Sequence, residues 1–368
     1  MSRRLLGAWP ARGADTPMKS ALSERQGVAI PEAPHVEMPR TRYTREQYVE
    51  GILRGDRGML ARAITLIESA RETDRELAGM ILEDCLPHSG NSLRVGITGV
   101  PGGGKSSLIE ALGCYLVTER QQKVAVLAVD PTSQISGGSI LGDKTRMTML
   151  AASESAFIRP SPARGAAGGV AQCTREAMLL CEAAGYSRIL VETVGVGQTE
   201  TAARGMVDFF LLVALAGAGD ELQDIKRGVV ELVDAVVVNK ADGANVKNAE
   251  LARSEIENAL RLFPKAASGW TPRALTCSAR TRQGIRELWN VVEQHASLTG
   301  DNGWRQAARN EQQRQWMREL IEQGLRQHFE ADPQVRERTA VLEREVIEGR
   351  ATSVRAAQIL LDTYLKAK

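Results

Sequence analysis

A glycine-rich segment in the first third of the chain has the residue types of a phosphate-binding loop. It reads Gly99-Val-Pro-Gly-Gly-Gly-Lys105-Ser106, which fits the pattern GxxxxGK[ST]. Glycines allow successive backbone N–H groups to surround a phosphate at the N-terminus of a helix. Lys105 is expected to reach the β- and γ-phosphate oxygens, and Ser106 to offer its hydroxyl to Mg²⁺. The residues predicted to contact the phosphates are Gly99, Val100, Pro101, Gly102, Gly103, Gly104, Lys105, Ser106 and Ser107.

A second motif, Asn239-Lys240-Ala241-Asp242, indicates which base accompanies the phosphates. The Asp242 carboxylate can accept hydrogen bonds from N1–H and the 2-amino group of guanine together, whereas adenine lacks this pair of donors. Lys240 is expected to lie along the base and Asn239 to brace the phosphate loop. Further on, Cys277-Ser278-Ala279-Arg280 follows another short apolar run, where GTPases direct a backbone N–H at guanine O6. We therefore predict GTP, bound through Asn239, Lys240, Asp242, Ser278, Ala279 and Arg280.

Three acidic residues could place Mg²⁺ beside the phosphates. Asp130 and Glu192 each end a short apolar run, and Asp143 lies in the segment Gly-Asp-Lys-Thr-Arg. Hard carboxylates near the Ser106 hydroxyl suit octahedral Mg²⁺, which is held largely through water. The predicted metal-site residues are thus Ser106, Asp130, Asp143 and Glu192, and a solvated acid with no ligand is the alternative for each carboxylate.

The segment Glu192-Thr-Val-Gly195 occupies the position at which many GTPases carry DxxG. Gly195 is expected to sense the γ-phosphate through its N–H and to make the following loop a switch. The next residue is Val196 rather than a water-orienting glutamine, and Gln198 comes two residues later. Slow intrinsic hydrolysis, accelerated by a partner, follows from this. No arginine finger can be assigned, although three arginines lie in a loop-rich stretch that could close over the site: Arg146, Arg159 and Arg164.

Short apolar runs alternate with amphipathic segments between residues 92 and 300. This alternation predicts an α/β fold of the P-loop NTPase type, with a mostly parallel sheet covered by helices on both faces. Strands are predicted at 93–98, 124–129, 189–192, 209–215, 235–239 and 274–278. Helices are predicted at 106–118, 169–184, 222–233, 247–262 and 284–297.

Helical periodicity flanks this α/β region on both sides. Thr44 followed by Gln47 is a capping-box pattern that opens the first helical stretch. We predict a disordered leader over 1–42, a helical segment over 43–90, a GTPase domain over 91–300 and a helical arm over 301–368. The arm is predicted as helices over 304–329 and 333–366. It is expected to pair with a second copy of the chain, the alternative being that it packs back on the core.

Composition excludes several classes of protein. The 368 residues carry 47 Lys and Arg against 45 Asp and Glu, which gives no polybasic surface for nucleic acid or membrane. The longest apolar stretch, 209–218, is far shorter than the roughly 20 residues of a membrane-spanning helix. Five widely spaced cysteines and four unclustered histidines argue against disulfides and against a zinc site. The leader lacks the apolar segment of a secretory signal, so we expect a cytoplasmic protein, with an organellar matrix as the alternative.

Several segments together resemble one family. They are Gly99–Ser107, Ala128–Pro131, Gly137–Met147, Val191–Gln198 and Gly217–Gln223. They resemble the MeaB/ArgK/MMAA family, whose members are G-protein chaperones of methylmalonyl-CoA mutase and related adenosylcobalamin-dependent acyl-CoA mutases. The family belongs with the GTPases related to the signal recognition particle, and the resemblance covers roughly residues 43 to 330.

The resemblance implies a homodimer that binds such a mutase, gates the delivery of its cobalamin, and protects or reactivates it through GTP hydrolysis. It implies no cobalamin bound by this chain itself, and Mg²⁺ as the only cofactor of the bound nucleotide. It also implies that residues 219–226 form an additional switch that responds to the partner and brings Lys226 into the activated site. The candidate catalytic residues are therefore Lys105, Lys226, Glu192 and Asp143.

Two other functions compete with this one. A metal-insertion GTPase usually carries a His-rich tract or a Cys/His metal site, and the sequence offers neither. A protein kinase linked to basic amino-acid transport would need an element that binds the acceptor protein, and none is visible.

Overall fold

A seven-stranded sheet lies at the centre of the computed structural model, which describes residues 43–130, 147–162, 167–193, 199–216 and 231–366. The strand order is β3-β2-β4-β1-β5-β6-β7, and every neighbouring pair is parallel. The strands are β1 Leu93–Gly99, β2 Val124–Asp130, β3 Ala156–Pro162, β4 Arg188–Glu192, β5 Phe209–Leu215, β6 Ala235–Asn239 and β7 Arg273–Thr276. The expected parallel α/β fold is confirmed.

Helices cover both faces of this sheet, because its central strands bury side chains on both sides. The helices are α4 Lys105–Thr118, α5 Thr148–Ala151, α6 Ala167–Ala183, α7 Thr199–Arg204, α8 Val246–Leu260 and α9 Ile285–Asp301. One core lies under α4 and α9, where Ile97 and Phe209 pack with the fully buried Trp289. The other core lies under α6, α7 and α8 and includes Val191 and Phe210. Burial on both faces is why these parallel strands read as continuous apolar runs.

Three helices precede the sheet and pack against α6. They are α1 Arg45–Leu53, α2 Arg57–Ile67 and α3 Glu72–Cys85, followed by a 3₁₀ turn at Leu86–His88. The predicted capping box is present at α1, where Thr44 and Gln47 satisfy each other's backbone N–H groups. Asp56 caps α2 by accepting from the N–H groups of Gly58 and Met59. The buried faces of these helices extend the core that lies under α6.

Strand β3 was not predicted from the sequence. The strand contains Pro160 and Pro162, which are tolerated because β3 is an edge strand, where a missing backbone donor costs little. Arg159 therefore does not lie in a loop that could close over the site, because it is part of β3 and its guanidinium pairs with Glu68, the residue that follows α2. Arg146 and Arg164 lie outside the described residues. So does the predicted helix at 222–233, except for residues 231–233, which are not helical.

The chain continues as an arm of three helices rather than the two predicted. They are α10 Trp304–Ala331, α11 Pro333–Ile347 and α12 Ser353–Lys366. Asp332 caps α11, and Pro333 occupies its first turn, where a missing N–H costs nothing. The predicted single helix over 333–366 is interrupted near Gly349, which has a left-handed backbone (φ +73°). Phe329 of α10 meets Tyr364 of α12 edge to face, with ring centroids 5.4 Å apart.

An arginine anchors α10 to the amino-terminal ends of the central strands. Arg309 donates to both carboxylate oxygens of Asp208, at 2.7 and 2.5 Å, and to the carbonyls of Gly90 and Ser92. Asp208 also accepts from the Arg94 backbone N–H at 2.9 Å. The beginning of the arm thus packs on the core, as the alternative interpretation held.

Farther along α10 the apolar face is exposed, at Met317, Ile321 and Leu325. Pairing of the arm with a second copy of the chain remains a prediction.

The five cysteines are free thiols, and four of them are buried. Burial raises the pKa of Cys85 to about 11 and that of Cys277 to about 12, so both are protonated at neutral pH. They act as small apolar core residues. In the described part of the chain, no helix is both long enough and apolar enough to cross a bilayer.

We predict that Arg309→Ala lowers the free energy of unfolding by about 3–5 kcal/mol, because it leaves the buried Asp208 carboxylate without its cation. Arg314→Ala on the same helix removes an exposed pair with Glu311 and is expected to cost less than about 1 kcal/mol. Urea unfolding followed by circular dichroism measures both. An equal loss of unfolding free energy in the two variants would show that the Arg309 contact does not stabilise the packing of α10 on the core.

Candidate functional site

The phosphate loop connects β1 to α4 and makes its turn with three glycines in left-handed or mirror-extended conformations. Their φ angles are +147° at Gly99, +76° at Gly102 and +84° at Gly104. A Cβ at Gly99 would lie 2.2 Å from the Val213 carbonyl oxygen, and one at Gly104 would lie 2.6 Å from Asn239 Nδ2. Glycine is therefore required at Gly99 and Gly104 by contact as well as by conformation.

Asn239 joins the phosphate loop to the loop after β7. Its Nδ2 donates to the Gly103 carbonyl at 2.9 Å, and its Oδ1 accepts from the Ala279 N–H at 3.2 Å. The residue is 1% exposed, and its contact with the Gly103 carbonyl is shielded from water, whereas the one with Ala279 is half-buried. This geometry matches the bracing role expected of Asn239. The side chain holds the phosphate loop beside the loop that follows β7.

Two lysines flank the phosphate loop. Lys105 Nζ donates to the carbonyls of Gly99 at 2.8 Å and Val100 at 3.2 Å, and Lys240 Nζ donates to the Gly102 carbonyl at 2.9 Å. Burial lowers the pKa of Lys105, while the charges of Glu192 and Glu200 oppose that shift. The Lys105 ammonium is folded onto its own loop, and its contact with a phosphate remains a prediction.

The Ser106 hydroxyl and the Glu192 carboxylate come together at the start of α4. Ser106 Oγ donates to Glu192 Oε1 at 2.9 Å, because β4 lies beside β1 and its last residue reaches the first turn of α4. A hydroxyl and a carboxylate are hard oxygen ligands of the kind Mg²⁺ takes, directly or through water, so this pair fits the expected ion. The described residues contain no group of three His, Cys, Asp or Glu side chains that could hold a metal alone.

Of the remaining predicted metal and switch residues, the structure describes only Asp130. Asp130 is the last residue of β2, beside β4, on the same carboxyl edge of the sheet as Glu192. Asp143, Gly195 and Lys226 lie outside the described residues. Their roles stay predictions.

Asp242 lies between the loops that follow β6 and β7. Its Oδ2 accepts from Ser278 Oγ at 2.5 Å, and its Oδ1 accepts from the Arg280 guanidinium. The Ala241 N–H donates to the Cys277 carbonyl at 2.9 Å, which holds the two loops side by side. The predicted base-binding residues therefore share one corner of the sheet next to the phosphate loop.

Sequence reasoning missed Glu200. This residue of α7 is 4% exposed, and its negative charge raises the pKa of Lys105 against the lowering caused by burial. In the sequence it resembles an ordinary acid in the first turn of a helix. The burial that sets it apart comes from α7 packing over β1, which local sequence does not reveal.

This sheet, with a GxxxxGK[ST] loop between its central strand and the next helix, defines a P-loop NTPase. The family model "Methylmalonyl Co-A mutase-associated GTPase MeaB" matches residues 60–334. The chain belongs to this MeaB family of GTPases. The resemblance drawn from the sequence motifs is confirmed.

Individual relatives agree with this assignment. A probable GTPase of Mycobacterium tuberculosis is 52% identical over 308 residues, covering 84% of this chain and 91% of that protein. The mouse protein named "Methylmalonic aciduria type A homolog, mitochondrial" is 43% identical over 324 residues, covering 85% and 78%. The chain is also similar to the crystal structure of a LAO/AO transport system kinase. That comparison gives a TM-score of 0.70 and 36% identity, and covers 87% of this chain and 97% of that one.

We predict that Asn239→Ala weakens GDP binding at least about tenfold and lowers the free energy of unfolding by about 1–3 kcal/mol, because it removes the hydrogen bonds to the buried Gly103 carbonyl and the half-buried Ala279 N–H. Fluorescence titration with a labelled GDP and urea unfolding measure the two effects.

The matched control is Asn245→Ala, which removes an exposed hydrogen bond to the Lys240 carbonyl and is expected to change either quantity little. Wild-type affinity in Asn239→Ala would contradict the bracing role.

Proposed function

We propose that this chain binds GTP with Mg²⁺, hydrolyses it slowly to GDP and phosphate, and acts as a chaperone of an adenosylcobalamin-dependent acyl-CoA mutase. The observation that carries the nucleotide part is the contact of Asn239 with both the phosphate loop and the loop holding Ser278. These two hydrogen bonds link the proposed phosphate site to the proposed base site. Membership of the MeaB family supports the mutase as partner.

The proposed chemistry is in-line attack of water on the γ-phosphate. Lys105 and the N–H groups of the phosphate loop stabilise the charge that develops on the phosphate oxygens. Mg²⁺, when bound through Ser106, Asp130, Asp143 and Glu192, would neutralise further charge on the β and γ oxygens. We propose that hydrolysis is slow without a partner, since Val196 stands where rapid GTPases carry the water-orienting glutamine, and that partner binding brings Lys226 into the site.

The proposed assembly is a homodimer through the C-terminal arm. Met317, Ile321 and Leu325 follow one another at helical spacing on α10 and are 53–59% exposed, which supports an interface on this face. We propose that the chain itself binds no cobalamin and acts in the cytoplasm. An organellar matrix is the alternative, since the mouse relative is named a mitochondrial protein.

The test of the chaperone role is steady-state GTP hydrolysis, measured alone and with purified adenosylcobalamin acyl-CoA mutases added one at a time. We expect a slow basal rate that one mutase raises many-fold. A rate unchanged by every mutase would remove the mutase from the proposal while leaving the GTPase.

We predict that Asp242→Asn weakens GDP binding at least about 100-fold and improves XDP binding. The amide oxygen can still accept from N1–H, but the amide N–H then faces the 2-amino group of guanine, a donor against a donor, whereas xanthine carries a carbonyl at C2 that accepts from it. Competition titration against a labelled nucleotide measures both affinities. Glu255→Gln, which neutralises an exposed acid on α8, serves as the control. Undiminished GDP affinity in Asp242→Asn would refute the base assignment.

We predict that Lys105→Ala abolishes multiple-turnover GTP hydrolysis, because Lys105 is the one cationic residue within the phosphate loop, residues 99–107. Release of phosphate over many turnovers measures this. Hydrolysis at the wild-type rate would show that Lys105 stabilises no charge in the reaction.

A further inference from the structure

Arg280 holds an oxygen of Asp242 that guanine also needs. We propose that Arg280 competes with guanine for the Asp242 carboxylate, and so limits how tightly the chain holds guanine nucleotides. The inference rests on the proposed GTP binding and revises the simple contact role predicted for Arg280.

Both oxygens of the Asp242 carboxylate are engaged within the chain. Oδ2 accepts from Ser278 Oγ at 2.5 Å and Oδ1 accepts from the Arg280 guanidinium. Guanine presents two parallel donors, N1–H and the 2-amino group, and a carboxylate receives such a planar pair across both of its oxygens. A guanidinium is also a planar fork of N–H donors. Arg280 and the base edge are therefore chemically equivalent partners for Oδ1.

The two existing partners of Asp242 differ in how firmly they are held. Ser278 is fully buried and locked into its loop, since its hydroxyl accepts from the Thr281 N–H at 3.1 Å and its own N–H donates to the Gln283 carbonyl at 2.9 Å. The Arg280 side chain is 77% exposed, whereas that of Asp242 is 16% exposed. Ser278 can thus keep its hydrogen bond to Asp242 Oδ2 while that oxygen also accepts from the base. Arg280 is the partner able to leave.

The strength of the competition follows from this exposure. An ion pair with one member largely in water is worth little and is screened by salt. Arg280 should therefore weaken guanine binding by a factor of only about two to five at low ionic strength. A competitor of that size would weaken nucleotide binding without abolishing it.

The first experiment compares Arg280→Ala with Arg282→Ala by titration of labelled GDP at low salt. Both remove one cation from the same loop, but the Arg282 guanidinium contacts Met149 Sδ and not Asp242. We expect GDP to bind Arg280→Ala about two- to fivefold more tightly than wild type, with the gain shrinking as salt is raised. Arg282→Ala is expected to match wild type or to bind slightly more weakly, through lost attraction to the phosphates.

A second experiment places Arg280→Ala in the Asp242→Asn background and measures XDP. The gain should vanish there, because the amide that replaces the carboxylate has no charge for Arg280 to hold. Weaker GDP binding in Arg280→Ala would overturn the proposal and make Arg280 a direct contact of the base. A gain that persists with Asp242→Asn, or that appears equally in Arg282→Ala, would also overturn it. Failure of the wild-type chain to bind GDP at all would instead remove the proposed function.

Discussion

The close approach of the phosphate loop to the ends of β5 and β6 is the constraint on which the site depends. At Gly99 and Gly104 a single added carbon would collide with Val213 or Asn239. The resulting contact lets one buried amide, that of Asn239, tie the loop to the segment after β7. The distance between the phosphate end and the base end of the site is thereby fixed by the sheet, and not by flexible side chains.

The two ends of the sheet have separate tasks. Its carboxyl edge carries the phosphate loop, Glu192 and the base loops, as expected for a parallel α/β sheet. Its amino edge carries the Asp208–Arg309 pair that anchors the arm. The short helix α7 runs between them. Glu200 near its start acts on Lys105, and the carbonyl of Arg204 at its end accepts from Gln312 of α10 at 3.5 Å. The arm therefore contacts this six-residue helix, and a charge on the same helix raises the pKa of the phosphate-loop lysine.

Sequence reasoning recovered what is local or repetitive. The buried parallel strands are recognisable as apolar runs, and the phosphate and base motifs fix residue types at set spacings. It missed β3, because Pro160 and Pro162 are tolerated there only by its place at the sheet edge. It overlooked Glu200 and the pairing of Arg280 with Asp242, because both arise where distant segments meet. The break near Gly349 was missed because the flanking segments are each helical on their own.

The central claim is that the joined loops select a guanine nucleotide. Calorimetric titration of the full chain with GDP and with ADP, each in the presence of Mg²⁺, tests it most directly. We predict that GDP binds at least about 100-fold more tightly than ADP, because guanine offers the Asp242 carboxylate a pair of donors that adenine lacks. Comparable affinities for the two nucleotides would contradict it.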